Sequence, residues 1–330
     1  MRQTERGIGW HLAVPPEVRT EYAGTTLGAY YSRADVMIGT QKAAREQFLA
    51  LYGVDIGAPY VDCPAYVGVA ALGADLMLPH DHPPMVANQG HVITEDDAVM
   101  ALEPADPRRS EWLGRLAAIR KQASGLTGEP MALPAGQEGP ITSAVLLRGE
   151  DFYRDIIDEP KRAHHLLHVV TQTLIDFVRH TREVSGLPLR GNAGIADDMA
   201  GTLSPARWPE FVVPYWERIY SELGPGKRSL HTELLRPAHL HFLTEMQIDS
   251  FDPGNDQYLT LQDVVKGVEG MHFTWNLYTV RDTLNGTPES IRALYATCAE
   301  GGAPTIMTEL CRGTPRANIA AFVEAARRYE

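Results

Sequence analysis

The chain has 330 residues, of which 44% are hydrophobic and 22% charged, an ordinary balance for a soluble globular protein. Its 42 acidic and 30 basic residues give a net charge of −12, which argues against nucleic-acid binding because that needs a basic surface. No apolar run approaches the roughly 18 residues of a transmembrane helix, and the N-terminus lacks a secretory signal's apolar core. Only three cysteines are present, Cys63, Cys298 and Cys311, so we expect a reducing, cytoplasmic location and no disulfide framework.

The first 140 residues show a mixed pattern. Residues 1–34 have weak periodicity, and we expect them to form an N-terminal arm laid over the main domain. Apolar spacings of three and four predict helices at 35–52, 66–72 and 111–124. Short apolar runs bounded by glycine and proline predict buried strands at 54–60 and 130–134.

Strands and helices alternate regularly after about residue 140. The predicted helices cover 150–158, 160–185, 208–223, 237–246, 261–268, 288–298 and 315–327. The predicted strands cover 189–195, 228–231, 248–251, 272–277 and 305–310. This alternation requires a parallel sheet, either an open doubly wound sheet or a closed barrel. No Gly-x-Gly-x-x-Gly opens a helix after a strand, so a dinucleotide-binding fold lacks its fingerprint.

Polar residues gather where several of these strands end, which is the edge on which a barrel builds its active site. They are Asp197 and Asp198, His231 and Glu233, Asp252 and Asn255, Trp275 and Asn276, and Glu309 and Cys311. We therefore predict an α/β fold, a (β/α)8 TIM-type barrel that forms one catalytic domain at 35–330, with the extension at 1–34. No segment rich in proline, glycine or serine indicates a linker.

His231, Glu233 and Cys311 offer an imidazole, a carboxylate and a thiol, which together form a zinc ligand set that leaves one position open. The pair His231 and Glu233 follows a predicted strand, and Cys311 follows the last one, so a closed barrel can bring them together. The alternative is a polar strand end with a structural cysteine. Spacing alone leaves both alternatives open.

Asp197 and Asp198 are the candidate catalytic residues, as acid, base or a partner that orients His231. Adjacent side chains point differently, so we expect at most one to face the pocket, and a helix-capping role is equally open. Strand-end position makes Asn255, Trp275, Asn276 and Glu309 candidate substrate-binding residues. Simple packing at the barrel rim is the alternative for them.

The chain from about residue 35 to 330 resembles the uroporphyrinogen decarboxylase superfamily, particularly its zinc-dependent, corrinoid-linked methyltransferase branch. The motifs that carry the resemblance are Gly-Pro-Ile-Thr-Ser at 139–143, Asp197-Asp198 with Leu-Ser-Pro at 203–205, Pro214-Tyr215, His231, Thr-Pro-Glu at 287–289 and Cys-Arg-Gly-Thr-Pro-Arg-Ala-Asn-Ile at 311–319. The resemblance implies a TIM barrel.

The resemblance also implies a zinc site. In thiol-methylating members the ligands are a His-x-Cys pair and a later cysteine before Thr-Pro. Carried over by position, the ligands of this chain are His231, Glu233 and Cys311, with a glutamate where those relatives have cysteine. A carboxylate in place of one thiolate makes zinc a stronger Lewis acid that prefers oxygen. The expected activity is therefore O-demethylation, in which a small methoxy substrate gives its methyl group to a corrinoid (cobalamin).

Three other functions are open. The first is methyl transfer from a corrinoid to a thiol of the coenzyme M type, against which Glu233 counts. The second is porphyrinogen decarboxylation, for which the Arg-x-x-Gly-Arg segment of the namesake enzymes is missing near this N-terminus. The third is a non-catalytic barrel that binds a corrinoid or its carrier.

Partners are predicted from one missing motif. No Asp-x-His-x-x-Gly corrinoid motif is present, so the cofactor is expected on a separate corrinoid protein or free in solution. The sequence does not decide between a monomer and a homodimer, or which way the methyl group moves.

Overall fold

The computed structural model describes residues 7–330, which separate into two compact units. The first unit contains the chain up to Thr26 together with Gly39–Pro59 and Leu235–Glu330. The second unit contains Leu27–Ile38 and Tyr60–Leu234. The division into an arm at 1–34 and one catalytic domain at 35–330 stays a prediction, and residues 1–6 of that arm lie outside the described residues.

Parallel strands form the centre of each unit. The strands in chain order are β1 (Gly9–Ala13), β2 (Leu76–Met77), β3 (Met85–Val86), β4 (Ala193–Ala196), β5 (Arg228–His231), β6 (Ser250–Asp252), β7 (His272–Leu277) and β8 (Thr305–Glu309). In the first unit β1 pairs with β8, β8 with β7 and β7 with β6, all in parallel. In the second unit β4 pairs in parallel with β5, and β2 and β3 form a short antiparallel pair.

Helices account for most of the remaining chain. They are α1 (Pro16–Ala23), α2 (Leu27–Ser32), α3 (Ala34–Tyr52), α4 (Val67–Ala71), α5 (Asp96–Met100), α6 (Glu111–Thr127), α7 (Pro140–Arg148), α8 (Glu150–Asp158), α9 (Pro160–Val184), α10 (Trp208–Phe211), α11 (Val213–Leu223), α12 (Leu240–Glu245), α13 (Leu261–Gly267), α14 (Pro288–Glu300) and α15 (Arg316–Tyr329). Short 3-10 turns cover Pro107–Arg109, Asp198–Thr202, Pro205–Arg207 and Pro237–His239, and a π-helical turn covers Thr279–Leu284.

The N-terminal segment contains a strand that the sequence analysis did not predict. Gly9–Ala13 is paired along its whole length with Thr305–Glu309, so β1 belongs to the parallel sheet. With five residues and two apolar positions exposed or half-buried at its start, this strand carries too short a pattern to recognise.

Two predicted strands are irregular segments instead. The run at 54–60 is mostly exposed and contains Pro59, which has no N–H to give to a ladder. The run at 130–134 has proline at both ends, and its free amides go to side chains. Met131 N–H donates to Ser124 Oγ, and Leu133 N–H donates to Ser185 Oγ. These serines replace the neighbouring strand that the prediction required.

Helix α7 is absent from the sequence prediction for a physical reason. All nine of its residues are buried, so it lacks the alternation of apolar and polar faces by which a helix is recognised. It begins with Pro140 in the first turn, where the missing N–H costs nothing. The long helix α9 packs against α5, α7, α8 and α11, and this packing forms much of the core of the second unit.

The sheet of the first unit has one apolar and one polar face. Leu12, Leu277 and Ile306 are buried on the apolar face, and Trp10 on the same face packs edge-on against Phe322 of α15. The ladder register places His11, Asn276 and Met307 side by side on the other face, and Glu309 follows two residues after Met307. That polar face and the ends of β4 and β5 position the candidate site residues.

Candidate active site at the strand ends

Asp197 follows β4 directly and is fully buried. Its carboxylate accepts hydrogen bonds from the backbone N–H groups of Ile141 (3.2 Å) and Thr142 (2.7 Å) and from the indole N–H of Trp216 (2.8 Å). The two amides belong to the first turn of α7, so the carboxylate faces the positive end of that helix. Burial raises the pKa of Asp197 to about 6, and these hydrogen bonds oppose the rise. This placement favours the capping role for Asp197.

Asp198 points the other way, towards the end of β5. Its Oδ1 lies 3.2 Å from Nε2 of His231, and both side chains are partly exposed. The same oxygen is buried and accepts no hydrogen bond of good geometry, so the contact with the imidazole is one of charge and proximity. Adjacent carboxylates thus take different directions, and Asp198 is the one that accompanies His231.

Thr232 decides which way its neighbours face. It is fully buried, and its hydroxyl donates to the backbone carbonyl of Asp197 at 2.8 Å. In an extended segment successive side chains alternate, so His231 and Glu233 project to the side opposite Thr232. The structure therefore gives the predicted His-x-Glu pair a common direction.

The chain leaves β5 under backbone strain. Leu234 has φ = 62°, a left-handed conformation that a residue with a side chain adopts at a cost of about 1–3 kcal/mol. A Cβ at Gly201 would lie 2.2 Å from the carbonyl oxygen of Glu233, so only glycine allows the Asp198–Thr202 turn to pack there. Strain of this kind persists only where the surrounding packing holds the conformation. The packing of Gly201 therefore holds the backbone of Glu233 in place.

Glu138 is a candidate that the sequence analysis missed. It precedes Gly139, where a Cβ would lie 2.3 Å from the Cβ of Asp197, so this segment is pressed against the end of β4. Burial and the negative charges of Asp198 and Asp197 raise the pKa of Glu138 to about 8, and His231 acts in the opposite direction. Its carboxyl therefore keeps its proton at neutral pH. The glycine that permits this close approach was the one signal available.

Two phenols accompany these carboxyl groups. Burial, Glu138 and Asp198 raise the pKa of Tyr66. Tyr153 is hydrogen-bonded to Thr202 Oγ1 at 3.0 Å, and burial raises its pKa. The ends of β4 and β5 thus combine one imidazole, several carboxyl groups and neutral phenols, a set that can hold a proton and repel anions.

The first unit carries the predicted Asn255 and Asn276. Asn276 Nδ2 donates to Asp252 Oδ1 at 2.6 Å, which joins the ends of β7 and β6. Asn255 Nδ2 donates to Thr279 Oγ1 at 3.4 Å, which joins the loop after β6 to the π-helical turn after β7. The structure therefore brings both asparagines to the carboxyl ends of neighbouring strands, where the sequence placed them.

Trp275 and Glu309 lie on opposite faces of this sheet. The register places Trp275 beside Ile306 on the apolar face, and its indole is hydrogen-bonded to Cys298 of α14. Glu309 ends β8 on the polar face that also carries Asn276. Of these two candidates, only Glu309 shares a face with Asn276.

Cys311 follows β8 in the first unit. It is half-buried, and its Sγ lies 3.7 Å from Thr314 Oγ1. It lines a cavity of about 270 Å³ together with Glu21, Tyr22 and Arg316. Two residues after Cys311, the N–H of Gly313 donates to the carboxylate of Glu21 at 3.2 Å. This hydrogen bond connects the loop to α1.

The predicted zinc ligands fit the metal by chemistry. Imidazole, carboxylate and thiolate are all ordinary zinc ligands, and a ligating histidine usually has a carboxylate partner such as Asp198. Within residues 7–330, however, no three His, Cys, Asp or Glu side chains lie together closely enough to hold a metal ion. The zinc triad of His231, Glu233 and Cys311 stays a prediction.

The fold has a solved counterpart. A methyltransferase from Methanosarcina mazei superposes with a TM-score of 0.74, and the alignment covers 98% of this chain and 94% of that one at 17% identity. At this identity the likeness shows the fold alone. The predicted α/β fold of the TIM-barrel type is thereby confirmed.

Sequence comparison defines the family. The family model for uroporphyrinogen decarboxylase (URO-D) matches residues 7–329, so the chain belongs to that family. The uroporphyrinogen decarboxylase of Xanthomonas axonopodis pv. citri is 30% identical over 138 residues, 41% of this chain and 37% of that protein. The enzyme of Nocardia farcinica with the same name is 26% identical over 179 residues, 52% of this chain and 47% of that protein. The chain thus matches less than half the length of these curated relatives.

No helix in the part of the chain that the structure describes has both the length and the apolar character that a bilayer crossing requires.

Proposed function

We propose that this chain is a methyltransferase of the URO-D family that moves a methyl group from a small methoxy substrate to a corrinoid, either free or on a separate protein. The observation that carries the proposal is the grouping of His231, Asp198 and Glu138 at the ends of β4 and β5. It combines an imidazole with a neighbouring carboxylate and with a carboxyl group that holds a proton. Proton donation and metal ligation both assist ether cleavage.

The proposal assigns zinc to His231, Glu233 and Cys311. Bound there, zinc would supply Lewis acidity towards the ether oxygen of the substrate. Asp198, whose Oδ1 lies 3.2 Å from Nε2 of His231, would place a negative charge beside the imidazole. The buried hydroxyl of Thr232 anchors the backbone between His231, which ends β5, and Glu233, so their spacing does not depend on solvent-exposed groups.

Glu138 supplies the proton that the reaction consumes. When the carbon–oxygen bond breaks, the methyl group passes to the acceptor and the alcohol or phenol oxygen retains the bonding electrons. That oxygen then takes the proton from the carboxyl of Glu138, whose pKa of about 8 keeps it protonated at neutral pH. The resulting carboxylate regains a proton from solvent, so protons balance over one turnover.

Decarboxylation is the second candidate, since the curated relatives carry that name and one is 30% identical over the aligned part. The negative charges near the ends of β4 and β5 disfavour the binding of a substrate with many carboxylates. Besides burial, the negative charges of Asp198 and Asp197 raise the pKa of Glu138, and the same negative field repels polyanions. Transfer to a thiol remains the third candidate, and Glu233 favours an oxygen-bound methyl group over it.

The test combines metal analysis with a transfer assay. Protein prepared without chelator is expected to contain one zinc per chain, and His231→Ala or Cys311→Ala is expected to lose it. With Co(I) cobalamin and 2-methoxyphenol, the wild type should form methylcobalamin and catechol, detected by absorbance and chromatography. Exposed His82 provides the matched control, and His82→Ala should keep both zinc and activity.

Each negative result contradicts a defined part of the proposal. Zinc-free wild-type protein would contradict the metal assignment. Zinc-replete protein that demethylates no methoxy compound would contradict the oxygen-linked version only. Release of carbon dioxide from a porphyrinogen would favour the decarboxylase instead.

A further inference from the structure

The polar face of the first unit's sheet contains an oriented hydrogen-bond acceptor. His11, Met307 and Asn276 occupy one row across β1, β8 and β7, as the ladder register shows. Asp252 at the end of β6 contacts the same row through Asn276 Nδ2 at 2.6 Å. A buried asparagine on a strand is uncommon, because asparagine side chains are mostly exposed.

The orientation of the Asn276 amide is fixed by chemistry. An ionised carboxylate can only accept hydrogen bonds, so the amide group that faces Asp252 must be the NH2. The same Oδ1 of Asp252 also accepts the backbone N–H of Gly254 at 2.9 Å, which holds the carboxylate in place. The carbonyl oxygen of Asn276 is therefore turned away from Asp252 and can only act as an acceptor.

This carbonyl oxygen has no donor among residues 7–330. Asn276 is 6% exposed, and its Oδ1 is buried without a hydrogen-bond partner. A buried acceptor without a donor is unfavourable, so we expect a donor from a bound molecule beside it. The adjoining segment, Thr279–Leu284, is a π-helical turn, a rare geometry that is frequent at functional sites.

We propose that Asn276 Oδ1 receives an O–H or N–H group of the small substrate and so determines which substrates bind. The ligand group is a hydrogen-bond donor and not a carboxylate, because two carboxylates already lie nearby. Asp252 is hydrogen-bonded to Asn276, and Glu309 ends β8 on the same face. An anionic ligand placed there would be repelled by the negative charges of both carboxylates. The inference rests on the proposed function only in taking the ligand to be a small substrate molecule.

Binding to four probes that differ in one substituent tests this assignment. The probes are 2-methoxyphenol, 2-methoxyaniline, 1,2-dimethoxybenzene and 2-methoxybenzoate, and affinities are measured by calorimetry on the full-length protein without cobalamin. The phenol and the aniline should each bind roughly tenfold more tightly than the dimethoxy compound, which has no donor, and the benzoate should bind most weakly. Asn276→Leu should abolish the advantage of the donor-bearing probes. The exposed Asn285 gives the control variant Asn285→Leu, which should keep it.

Several results would overturn the inference. They are equal binding of all four probes, failure of the donor-bearing probes to bind at millimolar concentration, and a donor preference that survives in Asn276→Leu. A crystal structure with only a water molecule on Asn276 Oδ1 in the presence of 2-methoxyphenol would do the same. Circular dichroism shows whether Asn276→Leu is folded, and Asn276→Ser serves as a second variant if it is not. Because no step needs zinc or a corrinoid, failure of methyl transfer would leave these binding results intact.

Discussion

Two neighbouring carboxylates, Asp197 and Asp198, have separate roles because of what surrounds each of them. Asp197 is enclosed by the first turn of α7 and by Trp216, whereas Asp198 lies beside His231. The sequence shows two identical side chains after a strand. Which one is enclosed depends on α7, a helix more than fifty residues earlier in the chain.

Asp197→Asn is expected to destabilise the protein. The amide would turn its NH2 towards either the α7 backbone amides or the Trp216 indole, so at least one buried donor would lose its acceptor. The expected loss is about 1–3 kcal/mol, measured by chemical denaturation. Asp151→Asn is the matched control, because Asp151 is partly exposed and pairs with the exposed Arg154, and it should stay within about 0.5 kcal/mol of the wild type. Equal stability of the two variants would contradict the capping role.

Glu138 should make stability fall with rising pH. Its folded pKa of about 8 lies above the ordinary value of 4.5, so the folded state binds the proton more tightly than the unfolded state. That contribution is complete below about pH 4.5 and is lost as the pH rises through 8. Since one pKa unit corresponds to about 1.4 kcal/mol, and the interval from pH 6 to the folded pKa is about two units, the loss between pH 6 and 9 should reach about 3 kcal/mol.

The variant Glu138→Gln isolates this component. Glutamine imitates the protonated carboxyl and cannot ionise, so the variant should lose less stability than the wild type between pH 6 and 9. Denaturation midpoints at a series of pH values measure the difference. Glu129→Gln, at an exposed position before the segment, should follow the wild type. Parallel pH curves for wild type and Glu138→Gln would contradict the assignment.

At the scale of elements, a buried ion cluster joins four helices of the second unit. Arg148 at the end of α7 donates to Asp155 of α8 at 2.7 Å and to Asp96 of α5 at 2.5 Å. Arg162 of α9 donates to Asp155 at 2.6 Å. Arg148 and Asp155 are both almost fully buried, so their charges depend on each other.

Arg148→Met is expected to cost about 3 kcal/mol, because it removes one charge and leaves Asp155 buried with only Arg162 as a partner. Thermal and urea denaturation measure the effect. Arg154→Met is the control at a mostly exposed arginine, with an expected change within about 0.5 kcal/mol. If both substitutions changed the stability by the same amount, the cluster would not stabilise the packing of these helices.

Element prediction succeeded for several segments with a recognisable local pattern and failed for the fully buried α7. Strands β5 and β7 and helix α8 have the predicted bounds. The buried α7 has no alternation of apolar and polar faces. The segment at 130–134 is apolar, but its amides are satisfied by serine side chains, which no local pattern reveals.

For the molecule as a whole, the net charge of −12 should influence substrate choice. An anionic methoxy substrate approaches against this charge, and added salt screens the repulsion. The KM for 2-methoxybenzoate should therefore fall about twofold or more between 10 and 150 mM salt, whereas that for neutral 2-methoxyphenol should change little. Initial rates at a series of salt concentrations measure both values. A KM for the anion that rises with salt would indicate a positively charged entrance instead.

The sequence by itself determined the α/β class, the order of the alternating elements after residue 140, and the positions of polar residues at strand ends. These follow from local periodicity and from residue types, which the chain carries without its fold. Only the tertiary structure decided that β1 joins the sheet beside β8, that Asp197 caps α7, and that Glu138 lies beside Asp198 and His231. Each of these three features is a contact between segments that are distant in the sequence. Such contacts determine burial, hydrogen-bond partners and pKa values, so local sequence patterns do not reveal them.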